Sequence, residues 1–328
     1  MTERLRLGVM SHDRSWPAAR ADRHMLAAFA RVHDVSFVDV DEGWPPRLDR
    51  VPDLHSLDAV VTFIRYRDLM VAPPIDWAGY DGPRIQLEWD AWTDIADLDT
   101  RYRGTWVPTF RTHHFDHLLV SGLRLVPHFE SLGVPVTWLA KGFDAPSFSD
   151  LGRPRSGIAH YGTLYRTRRA MLRSLRRQGA AVDHVSIPYD ELADRLNGLA
   201  GVIACMLDAG VRGGKVGRAL ERRWPGVALR LGEDLEPMQK TFEIAAAGAV
   251  PLIPPSPDLA PLGFVDGETA MVWRDFDELA GLVRGYRSDP APFAAVGRAA
   301  AVLSHARHTW DHRAAELGDI VRRLRAGG

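Results

Sequence analysis

Lys240-Thr241-Phe242-Glu243 opens a run that continues Ile244-Ala245-Ala246-Ala247-Gly248-Ala249-Val250-Pro251-Leu252-Ile253. Read as a helix ended by Gly248 and followed by a strand, it sets Glu243 one turn into the helix, where a carboxylate reaches paired ribose hydroxyls. Lys240, at the helix start, can neutralise a diphosphate alongside the positive helix end. Two further groups stand where strands are expected to end. His12 and Asp13 follow the apolar run Leu5 to Met10, and either is a candidate general base. Glu88 and Asp90 follow Pro83 to Leu87 and lie beside Trp89 and Trp92, a pairing of carboxylates with aromatic faces that suits sugar hydroxyls and sugar rings. Between Gly152 and Gln178 there is no acidic residue, while Arg153, Arg155, Arg166, Arg168, Arg169, Arg173, Arg176 and Arg177 supply eight positive charges. Arg166 opens the helix after the Gly162-Thr163 turn, where helix-terminal amides and a guanidinium can share a phosphate. Arg173, Arg176 and Arg177 read as the solvated face of that helix.

Other chemistries find little support in the chain. A dinucleotide fingerprint needs three glycines after the first strand, and Gly8-Val9-Met10-Ser11-His12-Asp13 has one, inside the strand. Gly210-Val211-Arg212-Gly213-Gly214-Lys215 lacks the spacing and the hydroxyl residue of a Walker loop, and reads as a surface loop. Asp39-Val40-Asp41 has the form that holds a divalent cation on a diphosphate, but so short a pattern recurs by chance, and no metal is expected. The single cysteine, Cys205, permits no intramolecular disulfide and builds no Cys-rich zinc site, which fits the cytoplasm.

The elements that must position these residues alternate between strand and helix. Leu5 to Met10, Val35 to Val40, Ala59 to Ile64, Pro83 to Leu87, His117 to Val120 and Pro135 to Ala140 read as strands, with a helix over Ala18 to Val32. Near residue 150, Ser147, Ser149, Gly152, Pro154, Ser156 and Gly157 mark a junction. A second series follows: strands at Ile158 to Tyr161, Val182 to Ile187, Val202 to Leu207 and Val250 to Ile253, and helices at Arg166 to Gln178, Asp190 to Leu199, Met238 to Ala247, Phe276 to Tyr286, Pro292 to Ser304 and Trp310 to Arg325. The fold class is α/β, with two doubly wound, Rossmann-like domains, 1–150 and 151–328, and ligands beyond the carboxyl ends of their strands. Length and composition agree: 328 residues suffice for two cores, and 46% hydrophobic with 25% charged residues describes a soluble globular chain. The net charge of -1 recruits neither nucleic acid nor an anionic membrane globally, so charge-driven binding must be local. The first ten residues lack a signal-peptide core, and Ile244 to Ile253, interrupted by a proline, is about half the ~20 residues that span a bilayer.

The run Lys240 to Ile253, with Phe264, Gly267-Glu268 and His308-Thr309-Trp310-Asp311-His312-Arg313, resembles the CgeB-like (spore-maturation-protein-like) GT-B glycosyltransferases, distant relatives of the retaining GT4 family. Gly142-Phe143-Asp144 is similar to the Gly-x-Asp turn of those enzymes, and Tyr161-Gly162-Thr163 with Arg166 to the glycine turn that opens their second domain. The resemblance covers roughly residues 135 to 325. It implies a GT-B fold whose two domains face each other across a cleft, with the acceptor on the first, the nucleotide diphosphate sugar on the second and the last helix crossing back to the first. It further implies that Glu243 binds the donor ribose, that Lys240 serves the diphosphate, and that Gly162, Thr163, Arg166, Thr241 and Phe242 line the donor side. One departure is plain: the glutamate that GT4 enzymes carry eight positions before the ribose glutamate is Leu235 here, with Glu233, Asp234 and Glu236 out of register.

The expected activity is metal-independent transfer of a sugar to an acceptor hydroxyl or amine on a small molecule or glycan. With inversion, His12 or Asp13 is the base; with retention, which the GT4 kinship favours, His12 and Glu88 orient the acceptor. Trp44, Trp77, Trp89, Trp92 and Trp106 suit either an acceptor that stacks on rings or a core. A nucleotide-sugar epimerase and a non-catalytic nucleotide-sugar sensor share the donor residues, and an RNA-binding role for the arginine helix predicts a steep salt dependence that is not expected.

Overall fold

Leu7, Val9 and Met10 are fully buried, on both faces of strand β1 (Arg6–Ser11), as a parallel strand covered on two sides requires. The computed structural model describes residues 3–327 except 13–19, 41–43, 45, 47, 95–103, 165, 187 and 206–235. Its described residues form two units, one made of the chain up to Ala140 together with Trp310–Gly328, the other of Lys141–Thr309. The first unit follows β1 with α1 (Arg20–Val32), β2 (Asp34–Asp39), β3 (Ala59–Phe63), α2 (Tyr66–Leu69), β4 (Arg84–Glu88), α3 (Trp106–Thr112), β5 (His117–Val120), α4 (Leu125–Ser131) and β6 (Val136–Trp138). The strands pair in parallel in the order β2-β1-β3-β4-β5-β6.

The second unit holds β7 (Ile158–Tyr161), α5 (Arg166–Arg177), β8 (Asp183–Val185), α6 (Tyr189–Asn197), β9 (Gly201–Ile203), α7 (Gln239–Ala246), β10 (Val250–Ile253), α8 (Leu259–Leu262), β11 (Met271–Val272), α9 (Phe276–Ser288) and α10 (Ala291–Arg307). Its sheet is also parallel, in the order β11-β10-β9-β7-β8. Helix α7 is buried from Thr241 to Ala246 and packs on α10, where Gly297 admits it: a Cβ there would meet the Gly248 carbonyl oxygen at 2.4 Å. Gly248 ends α7 at φ +78°, a conformation that favours glycine.

The division after Ala140 precedes the composition change near residue 150 because the intervening segment anchors in the core of the second unit. Phe143 and Phe148 are buried there, and the Phe143 amide donates to the His308 carbonyl at 3.1 Å. Beyond Thr309, helix α11 (Trp310–Gly327) joins the first unit: Trp310, Leu317 and Val321 share a cluster with Leu7, Val9 and Phe29. Gly318 faces His33, whose ring a Cβ would approach to 2.8 Å, and His33 Nε2 lies 2.7 Å from the Ala314 carbonyl.

Candidate functional site

In the second sheet the strand order reverses between β7 and β9, and a crevice opens beyond their carboxyl ends at such a switch. Tyr161-Gly162-Thr163 leaves β7 there and Ala204-Cys205 leaves β9. One guanidinium spans the opening: Arg168 Nη1 donates to the Thr163 carbonyl at 2.9 Å and Nη2 to the Cys205 carbonyl at 2.7 Å. Arg168 is buried on the face of α5 that carries Met171 and Leu175, at i+3 and i+7. That spacing was the available signal for its burial; the sequence points to Arg166 as the guanidinium at this turn. Arg166 opens α5, and its side chain lies outside the described residues.

Lys240 approaches the same turn from α7. Its Nζ donates to the Tyr161 carbonyl at 3.5 Å and sits 4.8 Å over the Tyr161 ring. Gly162 makes room for it, since a Cβ there would lie 2.2 Å from Nζ, and its φ of +123° suits no other residue type well. Burial pushes the Lys240 ammonium down to about 8, Arg168 pushes the same way, and Glu243 pulls back only in part. Beneath them His160 is fully buried, Nδ1 to Nδ1 at 3.1 Å from His184, and burial with Arg168, His184 and Lys240 holds it down at about 3, so it is neutral. Two desolvated cations at a strand switch are a site that gains from an anion with several oxygens.

Glu243 is the counterpart. Its buried carboxylate accepts from Tyr189 Oη at 2.6 Å and from Gln239 Nε2 at 2.8 Å, both on Oε1, so α6 and the first turn of α7 fix its direction. Burial and Glu243 together raise the Tyr189 hydroxyl far above its ordinary range, which keeps it a donor. Thr163 is exposed and contributes its carbonyl. Thr241 is buried beside the helix start. Phe242, counted with the donor side from the sequence, instead fills the core against Phe264 and His308, with ring centroids 5.7 and 5.2 Å away.

Glu236, out of register with the GT4 glutamate in the sequence, has a defined place in the structure. It is fully buried, ion-paired with Lys141, and borders a cavity of about 10 Å³ with Thr241, Met238, Ser256 and Ala204, beyond the ends of β9 and β10. Its partner is 95 residues away, and no local pattern announces it.

In the first unit the strand order reverses between β1 and β3. His12 follows β1, with Nε2 3.7 Å from Asp68 Oδ2 on α2, which itself follows β3. Asp13 lies outside the described residues. Glu88, the last residue of β4, is buried rather than set in a surface loop: Oε2 accepts from the Tyr66 amide and Oε1 from the Asp90 amide, each at 2.9 Å. Burial, with Asp90 adding to it, drives its carboxyl well above the usual carboxylate range. Trp77 and Trp106 are core residues, Trp106 stacked on Tyr66 with centroids 3.6 Å apart. A His–Asp pair absent from the sequence reading stands nearby, His128 Nε2 2.7 Å from Asp94 Oδ2. Asp39 ends β2, and Asp41 and the segment 210–215 lie outside the described residues. Among the described residues there is no group of three or more His, Cys, Asp or Glu placed to hold a metal, and no helix long and apolar enough to cross a membrane.

Comparison with solved structures identifies the architecture. A sucrose-phosphate synthase from Thermosynechococcus elongatus matches with a TM-score of 0.64 at 11% identity, over 99% of this chain and 100% of that one. Anabaena HepE in complex with UDP matches with a TM-score of 0.61 at 11% identity, over 97% and 100%. The fold is GT-B. AviGT4, a glycosyltransferase involved in avilamycin A biosynthesis, matches with a TM-score of 0.54 at 14% identity, over 99% of both chains. In sequence, a family described as glycosyl transferase-like matches residues 166–319. No curated protein matches.

Proposed function

We propose that this chain is a glycosyltransferase that draws its sugar from a nucleoside diphosphate sugar bound in the second unit and passes it to an acceptor held by the first. The observation that carries the reading is the convergence of Lys240, Arg168 and Glu243 on the β7–β9 switch: two desolvated cations for a diphosphate and one oriented carboxylate for a ribose. HepE structures in complex with UDP and with UDP-glucose support the ligand class. When the bond from the anomeric carbon to the diphosphate oxygen breaks, its electron pair leaves with the diphosphate, and the start of α7 with Lys240 and Arg168 stabilises the charge where it develops. Fixed cations thereby take the part a divalent metal plays elsewhere, and the reaction is metal-independent.

Retention of configuration belongs to the same proposal, with the acceptor proton passing to the departing oxygen and His12 orienting the acceptor. Glu88 serves this arrangement by holding the Tyr66 and Asp90 backbone. In an inverting reaction His12, beside Asp68, would take that proton instead. Kinship with the CgeB-like group, hexosyl transfer and a cytoplasmic location complete the proposal.

The test is a thermal-shift screen with UDP, GDP, TDP and their sugars, followed by an assay for nucleoside diphosphate release with an acceptor panel. A ligand at a hundredfold its Kd adds roughly 2.7 kcal/mol to stability. At least one nucleotide should raise Tm, and Lys240→Ala should abolish that rise. A screen in which no nucleotide moves Tm overturns the reading.

A further inference from the structure

The outward face of α5 carries Arg169, Arg173, Arg176 and Arg177, all exposed and, among the described residues, in no ion pair. Their spacing of i, i+4, i+7 and i+8 makes one stripe about 12 Å long, opposite the buried Arg168, Met171 and Leu175. Helix α9 extends it: Arg284 donates to the Gln178 carbonyl at 3.0 Å, and Arg287 to the Gly179 and Ala181 carbonyls at 2.7 and 2.5 Å. Among the described residues the carboxylates bordering the stripe are few. Asp277 accepts from Gln178 at 3.1 Å, Glu278 is engaged with Arg274, and Asp183 is exposed on β8. Like charges at i, i+4 destabilise a helix. In a chain whose net charge is -1, this cluster is a local concentration of charge.

We propose that this stripe adsorbs the protein to an anionic phospholipid bilayer. Planar guanidinium groups in a row match lipid phosphates and carboxylates. None of the large apolar residues exposed among the described residues, Met70, Val71, Leu132, Leu151, Val265 and Val302, belongs to α5, so contact is electrostatic and without insertion. The stripe carries no aromatic side chain on which a base could stack, and this disfavours single-stranded nucleic acid as the occupant.

The test is co-sedimentation of the full chain with vesicles of phosphatidylcholine alone or with phosphatidylserine, at low and high salt. Binding is expected only to the anionic vesicles and is lost at high salt, where the screening length contracts. Each arginine changed to glutamine should weaken partitioning about fivefold, so R169Q/R173Q/R176Q/R177Q should not sediment. The corresponding four-lysine variant should still bind, and both variants should keep the wild-type thermal shift with UDP, since Arg168, Lys240 and Glu243 are untouched. Equal binding to both vesicle types, retention by the four-glutamine variant, or preference for a single-stranded oligonucleotide over anionic vesicles at matched phosphate would each overturn the proposal.

Discussion

Lys240 makes a prediction about protons. Its ammonium is held at about 8, against 10.5 for an ordinary lysine, chiefly by burial and then by Arg168. A diphosphate beside Nζ supplies the missing counter-charge and returns the group to its ordinary range. Binding must then take up the protons that the free protein lacks: about a tenth of a proton at pH 7, about half at pH 8 and about nine tenths at pH 9. Titration calorimetry with UDP in buffers of different ionisation enthalpy reads this number directly. The association constant should accordingly fall about tenfold between pH 7 and pH 9, and Lys240→Met should bind weakly with no uptake. In the unliganded protein the folded state holds fewer protons than the unfolded state between about 8 and 10.5, so stability rises with pH through that window. Lys240→Met should therefore raise Tm at pH 7 and lose that advantage above pH 10. UDP binding to the wild type with no proton uptake at pH 8 would refute the reasoning, because Lys240 would then carry its full charge beforehand or stand away from the phosphates.

Tyr189→Phe removes the 2.6 Å hydrogen bond that directs Glu243 and should cost about 1–3 kcal/mol in chemical denaturation, with a several-fold loss of nucleotide affinity. Glu243→Gln should lower the affinity for nucleoside diphosphates roughly 10- to 100-fold in the same calorimetry while sparing inorganic pyrophosphate, which has no ribose. Gly162→Ala places a methyl on Nζ of Lys240 and strains a positive φ, so the thermal shift with UDP should shrink; an unchanged shift contradicts the placement of Lys240. Glu88 is raised in the folded state, so its stabilising contribution is complete below its unfolded value of 4.5 and disappears as the pH climbs through its folded value. The Tm difference between Glu88→Gln and wild type should grow in the variant's favour from pH 5 to pH 9; a constant difference would mean that Glu88 is ionised throughout.

Much of the fold was legible because buried parallel strands are short continuous apolar runs. Ile158–Tyr161, Val250–Ile253 and His117–Val120 end in the structure where their sequence ends them. The short helices α2, α3, α4 and α8 and the two-residue strand β11 carry too few residues to show a period, and they escaped. In the site, Lys240 and Glu243 could be read because one helix turn holds both. Phe242, between them, could not be separated from them without knowing which face of α7 meets α10. Tyr189 and Glu236 depend on contacts across 54 and 95 residues, respectively, which no local pattern encodes. Arg168 shows locally only that it shares the buried face of α5 with Met171 and Leu175, its carbonyl partner at Cys205 lying 37 residues away. Among the tryptophans, Trp77 and Trp106 went to the core rather than to a surface for rings, since burying a large ring stabilises more than exposing it.

A crystal structure of the protein soaked with the nucleoside diphosphate that raises Tm most tests the account directly. Phosphate oxygens within hydrogen-bonding distance of Lys240 Nζ, and ribose hydroxyls on the Glu243 carboxylate, are the expected result. Nucleotide density elsewhere, with the turn at Gly162 and the start of α7 left empty, would contradict it.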